Sequence, residues 1–121
     1  MKQLTKAEEE IMQVLWDLKE SNVKDIIEKL PEPKPAYNTV STIIRILETK
    51  GFVNHLQEGK GYIYFPILKK NEYSNSSINK LVENYFQGSF KDMVSFFVKK
   101  NDVDLADIEQ IIKEIKHKED E

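Results

Sequence analysis

The sequence predicts a mainly α-helical protein with a small β-hairpin wing: a winged helix-turn-helix domain plus a C-terminal helical dimerisation region. Three observations carry this prediction. Three amphipathic helical segments precede Gly51, two short strands joined by a glycine-containing turn follow them, and three further apolar helical segments fill the remainder. We place the boundary at residue 70, so that residues 1–70 form the winged domain and residues 71–121 form the helical region.

The composition excludes several kinds of site. The chain has no cysteine, which rules out disulfides and thiolate metal sites. No stretch approaches the roughly 20 apolar residues of a transmembrane helix, and glutamates stand where a secretory signal would be apolar. The histidines, His55 and His117, are too far apart in sequence to suggest a metal site or a catalytic triad. We therefore expect a cytoplasmic protein that is not an enzyme and uses no metal or cofactor.

The net charge of −3 is unevenly distributed. Residues 1–33 carry five lysines and eight carboxylates, and residues 71–121 carry seven lysines and eleven carboxylates. Residues 34–70 carry six basic residues against two glutamates, a local balance of +4. Because salt screens charges beyond about 8 Å, a polyanion responds to this basic middle segment and not to the average.

The first two helices are marked by their caps. Thr5 and Glu8 form a capping box, and apolar residues recur at helical spacing, which predicts a helix over residues 6–19. We interpret the run Glu8-Glu9-Glu10 as a solvated first turn and Trp16 as a residue of the core or its edge. Ser21 or Asn22 can cap a second helix through Leu30, which a proline-rich connector ends.

The third helix, from about Tyr37 to Lys50, has an unusual polar face. Its apolar side is formed by Val40, Ile43, Ile44 and Leu47, at positions i, i+3, i+4 and i+7. The opposite side gathers Asn38, Ser41, Thr42, Arg45 and Thr49. Four of these five are small uncharged hydrogen-bonding residues, whereas an ordinary solvated face carries more glutamate and lysine. Gly51 is placed to end the helix at the C′ position.

A hairpin follows, with strands predicted at Val53–Gln57 and Tyr62–Ile67 and two glycines in the turn between them. Three helices, a hairpin and a polar third helix together predict DNA binding, with the third helix in a major groove about 12 Å wide. Arg45 can make a bidentate contact to guanine, whereas Lys34, Tyr37 and Lys60 are suited to phosphates. The full set of predicted DNA contacts is Lys34, Tyr37, Asn38, Thr39, Ser41, Thr42, Arg45 and Lys60.

Beyond Lys70 the sequence predicts a helix over Tyr73–Phe86, a break at Gly88, and two helices capped by Ser89 and Asp104. Their apolar faces need a partner, which is either a second copy of the chain or the winged domain itself, and we favour a homodimer. The residues expected to form the dimer surface are Ile78, Leu81, Val82, Tyr85, Phe86, Phe90, Met93, Val94, Phe97, Leu105, Ile108, Ile111, Ile112 and Ile115.

Several short motifs, in order, carry a family resemblance. They are Leu4-Thr5-Lys6-Ala7-Glu8, Ala36-Tyr37-Asn38-Thr39-Val40, Lys50-Gly51-Phe52-Val53, Gly61-Tyr62-Ile63-Tyr64-Phe65-Pro66 and Tyr85-Phe86-Gln87-Gly88-Ser89-Phe90. In these the chain resembles the BlaI/MecI/CopY family of penicillinase-type repressors. The resemblance implies a homodimeric repressor that binds a dyad operator in double-stranded DNA. In the beta-lactam branch it also implies release through a membrane sensor-protease that leads to repressor cleavage.

The chain departs from the family pattern at three places. The recognition-helix arginine stands at Arg45, one position earlier than in many members, where this chain has Ile46. Phe96-Phe97 occupies the position of the Asn-Phe cleavage bond of the beta-lactam branch. The C-terminal cysteines of the copper-responsive branch are absent. A winged-helix adaptor or antirepressor, which would bind protein instead of DNA, is the alternative function.

Overall fold

The computed structural model describes residues 3–100 and 102–119, so residues 1, 2, 101, 120 and 121 of the two predicted domains lie outside the described part. Three helices, an antiparallel two-stranded sheet and three further helices follow one another along the chain. This order confirms the predicted fold class. The elements are α1 (Lys6–Leu18), α2 (Val23–Lys29), α3 (Tyr37–Thr49), β1 (Val53–Glu58), β2 (Gly61–Pro66), α4 (Lys70–Phe86), α5 (Phe90–Lys99) and α6 (Leu105–Glu119).

Local hydrogen bonds account for the helix starts. The capping box predicted before α1 is present, with the Thr5 hydroxyl accepting from the Glu8 amide and the Glu8 carboxylate accepting from the Thr5 amide. Of the two residues proposed to cap α2, Asn22 does so by accepting from the Asp25 amide. Ser89 caps α5 as predicted. α4 begins at Lys70, three residues earlier than expected.

The observed bounds of the hairpin strands differ from the predicted ones by one residue, because the strand pairing extends to the turn. Glu58 pairs with Gly61 and Val53 with Pro66, so β1 extends to Glu58 and β2 begins at Gly61. Midway along β2, Tyr64 and Ser21 exchange backbone hydrogen bonds of 2.8 and 2.9 Å. The segment before α2 therefore attaches to the hairpin like a short third strand.

The core of the winged part lies between α1, α2, α3 and the hairpin. Trp16 closes one edge, its indole N–H donating to the Leu68 carbonyl at 2.8 Å, as the core-edge interpretation requires. Ala7, although it fits the periodicity of α1, is exposed. The buried apolar side chains are Leu4, Ile11, Met12, Leu15, Val23, Ile26, Leu30, Val40, Ile44, Leu47, Phe52, Val53, Tyr64, Leu68 and Tyr73.

Glu8 corrects the interpretation of the glutamate run as solvated. Its side chain is buried, and the Lys50 ammonium lies 2.9 and 2.8 Å from its two carboxylate oxygens. Burial raises the pKa of the Glu8 carboxyl, but the hydrogen bonds from Lys50 and Thr5 outweigh it and hold the pKa below its ordinary value. The ion pair joins the start of α1 to the end of α3.

The chain divides into two compact units, Met1–Ser76 and Ser77–Glu121. In the second unit Phe86 packs edge to face against Phe96, with ring centroids 5.6 Å apart. Most of the remaining apolar side chains of this unit are exposed. Among the described residues, no helix is long and apolar enough to span a membrane.

Candidate nucleic-acid interface

The outward face of α3 carries most of the predicted DNA contacts. Asn38, Thr39, Thr42 and Arg45 are exposed, and Tyr37 at the helix start is 58% exposed. The polar side chains therefore remain accessible, whereas the Val40 and Ile44 side is completely buried. This is the two-sided helix that the periodicity predicts, with its short polar residues free to approach another surface closely.

Ser41 is an exception to the predicted exposed stripe, because only 8% of it is exposed. It lies at the edge of the buried side of α3, where Asn22 and the hairpin approach the helix. Its hydroxyl accepts a hydrogen bond of 3.2 Å from the guanidinium of Arg45, one turn later. Ser41 is therefore mostly buried and contacts Arg45, instead of lying on the open face as expected.

The predicted lysine contacts have different environments. Lys60 is exposed in the hairpin turn beside Gly59, whose φ of 60° suits a tight turn. The Lys34 ammonium instead donates to the Glu28 and Leu30 carbonyls at the C-terminal end of α2. A cation there stabilises the negative end of the helix, so Lys34 has a structural partner besides any phosphate.

A cleft of about 580 Å³ separates α3 from the hairpin and the start of α2. Lys24, Arg45 and Lys60 place three cationic side chains around it, against the single carboxylate of Glu48. Arg45 and Lys60 belong to the basic middle segment of the sequence, and Lys24 on α2 adds a third cation. The lining residues are Asn22, Val23, Lys24, Tyr37, Ser41, Arg45, Glu48, His55, Lys60, Gly61, Tyr62 and Tyr64.

One contact within this cleft was not predicted from the sequence. The imidazole Nδ1 of His55 on β1 is in hydrogen-bond contact with the Glu48 carboxylate on α3. The His55 ring also packs edge-on against Tyr62, with centroids 4.7 Å apart. Burial raises the pKa of the adjacent Tyr64 phenol, and the Glu48 charge adds to the increase. The only sequence signal for the pair is its seven-residue spacing across Gly51.

The predicted dimer residues fall into three groups. Val82 is buried within the chain, at 6% exposure, contrary to its expected place on an open surface. Phe86, Met93, Val94, Phe97 and Ile108 are half-buried. The others are exposed apolar side chains: Ile78, Leu81, Tyr85, Phe90, Leu105, Ile111, Ile112 and Ile115.

No group of three histidine, aspartate or glutamate side chains within residues 3–100 and 102–119 is arranged to hold a metal ion. The described surface of α3 and the cleft offers hydrogen bonds and charge, from short polar side chains, one arginine and the cations around the cleft. The C-terminal helices offer exposed apolar side chains instead.

Comparisons with known proteins connect this geometry with a family. A family profile described as penicillinase repressor matches residues 4–117. The methicillin resistance regulatory protein MecI of Staphylococcus aureus strain N315 is 26% identical over 110 residues, covering 90% of this chain and 89% of that protein. The penicillinase repressor of Bacillus licheniformis is 25% identical over 123 residues, covering 98% and 96%.

Solved structures give the same answer for the fold. The solution structure of the DNA-binding domain of the repressor BlaI matches with a TM-score of 0.52 and 30% identity, covering 59% of this chain and 88% of that one. Monomeric Bacillus licheniformis BlaI in complex with the blaP half-operator matches with a TM-score of 0.50, also at 30% identity, covering 60% and 89%. These relatives are repressors and not enzymes, as predicted. The chain belongs to the penicillinase repressor family of DNA-binding transcriptional repressors.

Proposed function

We propose that this chain represses transcription as a homodimer that binds a two-fold-symmetric operator through α3 and the hairpin wing. The observation that carries the proposal is the exposed face of α3, where short polar side chains and Arg45 stand beside a cleft with three cations. A repressor must reach its operator, so we assign the chain to the cytoplasm.

In this arrangement α3 lies in the major groove. Asn38 and Thr42 are short enough for close approach to base edges, and Arg45 is long enough for a bidentate contact to guanine. Tyr37, Thr39 and Lys60 are assigned to the phosphates, which set the position of the protein on the duplex. Ser41 contributes to the same surface by accepting a hydrogen bond from Arg45. Lys34 contributes from its position at the C-terminal end of α2. The BlaI half-operator complex supports this assignment by analogy.

The C-terminal helices are assigned to dimer formation. Eight of the predicted residues leave apolar side chains exposed on α4, α5 and α6 in the single chain, and an exposed apolar surface of this kind marks a contact with another protein. A second copy gives a two-fold-symmetric assembly, which a dyad operator matches. In this proposal residues 1–70 bind DNA and residues 71–121 dimerise.

Release of the operator is assigned to proteolysis directed by a membrane sensor-protease, which the family resemblance implies for its beta-lactam branch. Phe96 and Phe97 pack against each other within α5, with centroids 5.6 Å apart, so cleavage between them requires α5 to open locally. Intact-mass measurement of the chain in cells exposed to a beta-lactam tests this: two fragments separated at Phe96 support it, and an uncut chain under full derepression contradicts it.

DNA binding is tested by selecting bound duplexes from a random library and sequencing them, then repeating the titration over a range of salt. We expect an enriched two-fold-symmetric site and an affinity that falls with a log–log slope of about 0.9 per phosphate neutralised. The protein adaptor, the competing function, predicts no enriched site and binding to its partner that barely responds to salt.

A further inference from the structure

The contact between Glu48 and His55 joins the two elements that the proposed function uses. Glu48 lies on α3 and His55 on β1, and their side chains are 30% and 36% exposed. The imidazole is held on its other side by Tyr62, 4.7 Å away between centroids, and lies 5.7 Å from Tyr64. A side chain fixed by both a carboxylate and an aromatic ring has little freedom, so α3 and the hairpin are connected at a defined place.

The hairpin needs such a connection. A two-stranded sheet by itself is only marginally stable in water, and here its far end, from Gln57 to Tyr62, is exposed. The backbone bridge between Ser21 and Tyr64 holds one strand, β2, to the segment before α2. Glu48 and His55 hold the other strand, β1, to α3. The direction in which the turn presents Lys60 therefore depends on this second attachment.

We propose that Glu48 and His55 are positioning residues that set the wing against the recognition helix, so that operator affinity depends on the contact between them. The inference rests on the proposed function, because it concerns how the same surface meets DNA.

A direct contact between His55 and a phosphate would also make His55→Phe weaken binding, so the test must separate the two. We compare the full-length native chain with Glu48→Gln, His55→Phe and the double variant. The probe is the duplex enriched in the selection above, titrated with each variant at one fixed pH. His55→Phe keeps a ring against Tyr62 and removes only the polar contact. Glu58→Gln, an exposed carboxylate at the end of β1, is the control for removal of a negative charge near DNA.

We expect Glu48→Gln and His55→Phe each to bind about three- to tenfold more weakly than Glu58→Gln. The effects of Glu48→Gln and His55→Phe should be non-additive by about three- to tenfold, within the range seen for residues in contact. Additive effects overturn the inference.

The outcome is distinguishable from failure of the proposed function, because in that case the native chain enriches no duplex. Thermal unfolding of each variant verifies that it is folded. Should His55→Phe not fold, His55→Gln replaces it in the cycle.

Discussion

Arg45 is held ready for its proposed contact by a neighbour one turn away. Its guanidinium donates to the Ser41 hydroxyl at 3.2 Å, which restricts the side chain before DNA arrives and reduces the entropy lost on binding. The Arg45 backbone carbonyl also accepts from the Thr49 hydroxyl at 3.0 Å, so the polar side of α3 is hydrogen-bonded within itself.

We expect Arg45→Ala to weaken binding to the selected duplex by about 1–3 kcal/mol, because a bidentate contact to guanine is lost. Fluorescence anisotropy with a scrambled duplex of the same length provides the control. A much smaller loss on the scrambled duplex is expected, and an equal loss on both would identify Arg45 as a phosphate contact.

The buried ion pair between Glu8 and Lys50 gives a second test at the scale of single residues. Lys50→Met should lower the free energy of unfolding by about 2–3 kcal/mol at pH 7, because it leaves a buried carboxylate without its cation. Lys6→Met, an exposed position in the first turn of α1, is the matched control and should change stability by less than about 0.5 kcal/mol.

The cost of Lys50→Met should also depend on pH in a defined direction. Since the pKa of Glu8 is lower in the folded chain, its contribution is present above the ordinary carboxyl range and is lost as pH falls through the folded pKa. Urea unfolding at pH 7 and pH 3 measures this. A difference between native and Lys50→Met chains that is as large at pH 3 as at pH 7 would contradict the assignment.

Residue environments were the least predictable feature from sequence. Glu8 was expected in water, but it is buried and contacts Lys50, far away in the chain. Ser41 was expected on the open face, but it is buried at the edge of α3. Periodicity assigns a residue to a side of its own helix, and it contains no information about Lys50, which lies 42 positions from Glu8. The Glu48 and His55 pair was missed for the same reason.

Whole elements were predicted much more closely, because their boundaries depend on neighbouring residues. The residues that delimit a helix lie within a few positions of its end. Examples are the capping box before α1, the Asn22 and Ser89 caps and the glycine after α3. The start of α4 was placed too late, at Tyr73. That tyrosine is buried and its hydroxyl accepts from the Leu4 amide, a contact between the two ends of the winged part.

Gly51 is the position where an element boundary can be tested. It has a φ of 83° at the end of α3, and nothing lies within 4 Å of the place where a Cβ would be. Gly51→Ala should therefore destabilise the chain by about 1 kcal/mol through backbone strain alone, without a clash. Gly61→Ala is the control, since the φ of Gly61 is outside the left-handed region. The atom nearest to a Cβ added there, the Glu58 carbonyl oxygen, is 4.0 Å away. Equal melting temperatures for the two variants would refute this account.

At the scale of the whole molecule, the exposed apolar side chains of α6 predict self-association. Ile111→Glu in the full-length chain should convert a dimer into a monomer in sedimentation equilibrium and weaken operator binding, because a charge cannot be buried without a partner. Gln110→Glu adds the same charge at the neighbouring exposed position and should leave the dimer intact. A native chain that sediments as a monomer at micromolar concentration would contradict the prediction.

The partner of this apolar surface could not be derived from the sequence in the way the hairpin was. A hairpin is specified by its own turn and strand residues, whereas an amphipathic helix such as α6 requires only that some apolar surface cover it. Both a second copy and the winged domain satisfied that requirement in the sequence, and the homodimer remains a prediction.

The most direct test of a dimeric repressor is a titration that compares the full two-fold-symmetric duplex from the selection with a duplex containing one half-site. Mass photometry or analytical ultracentrifugation gives the number of chains bound, and anisotropy gives the affinity. We predict two chains on the full site and an affinity at least tenfold above that for the half-site. One chain bound to each duplex with equal affinity would contradict the account.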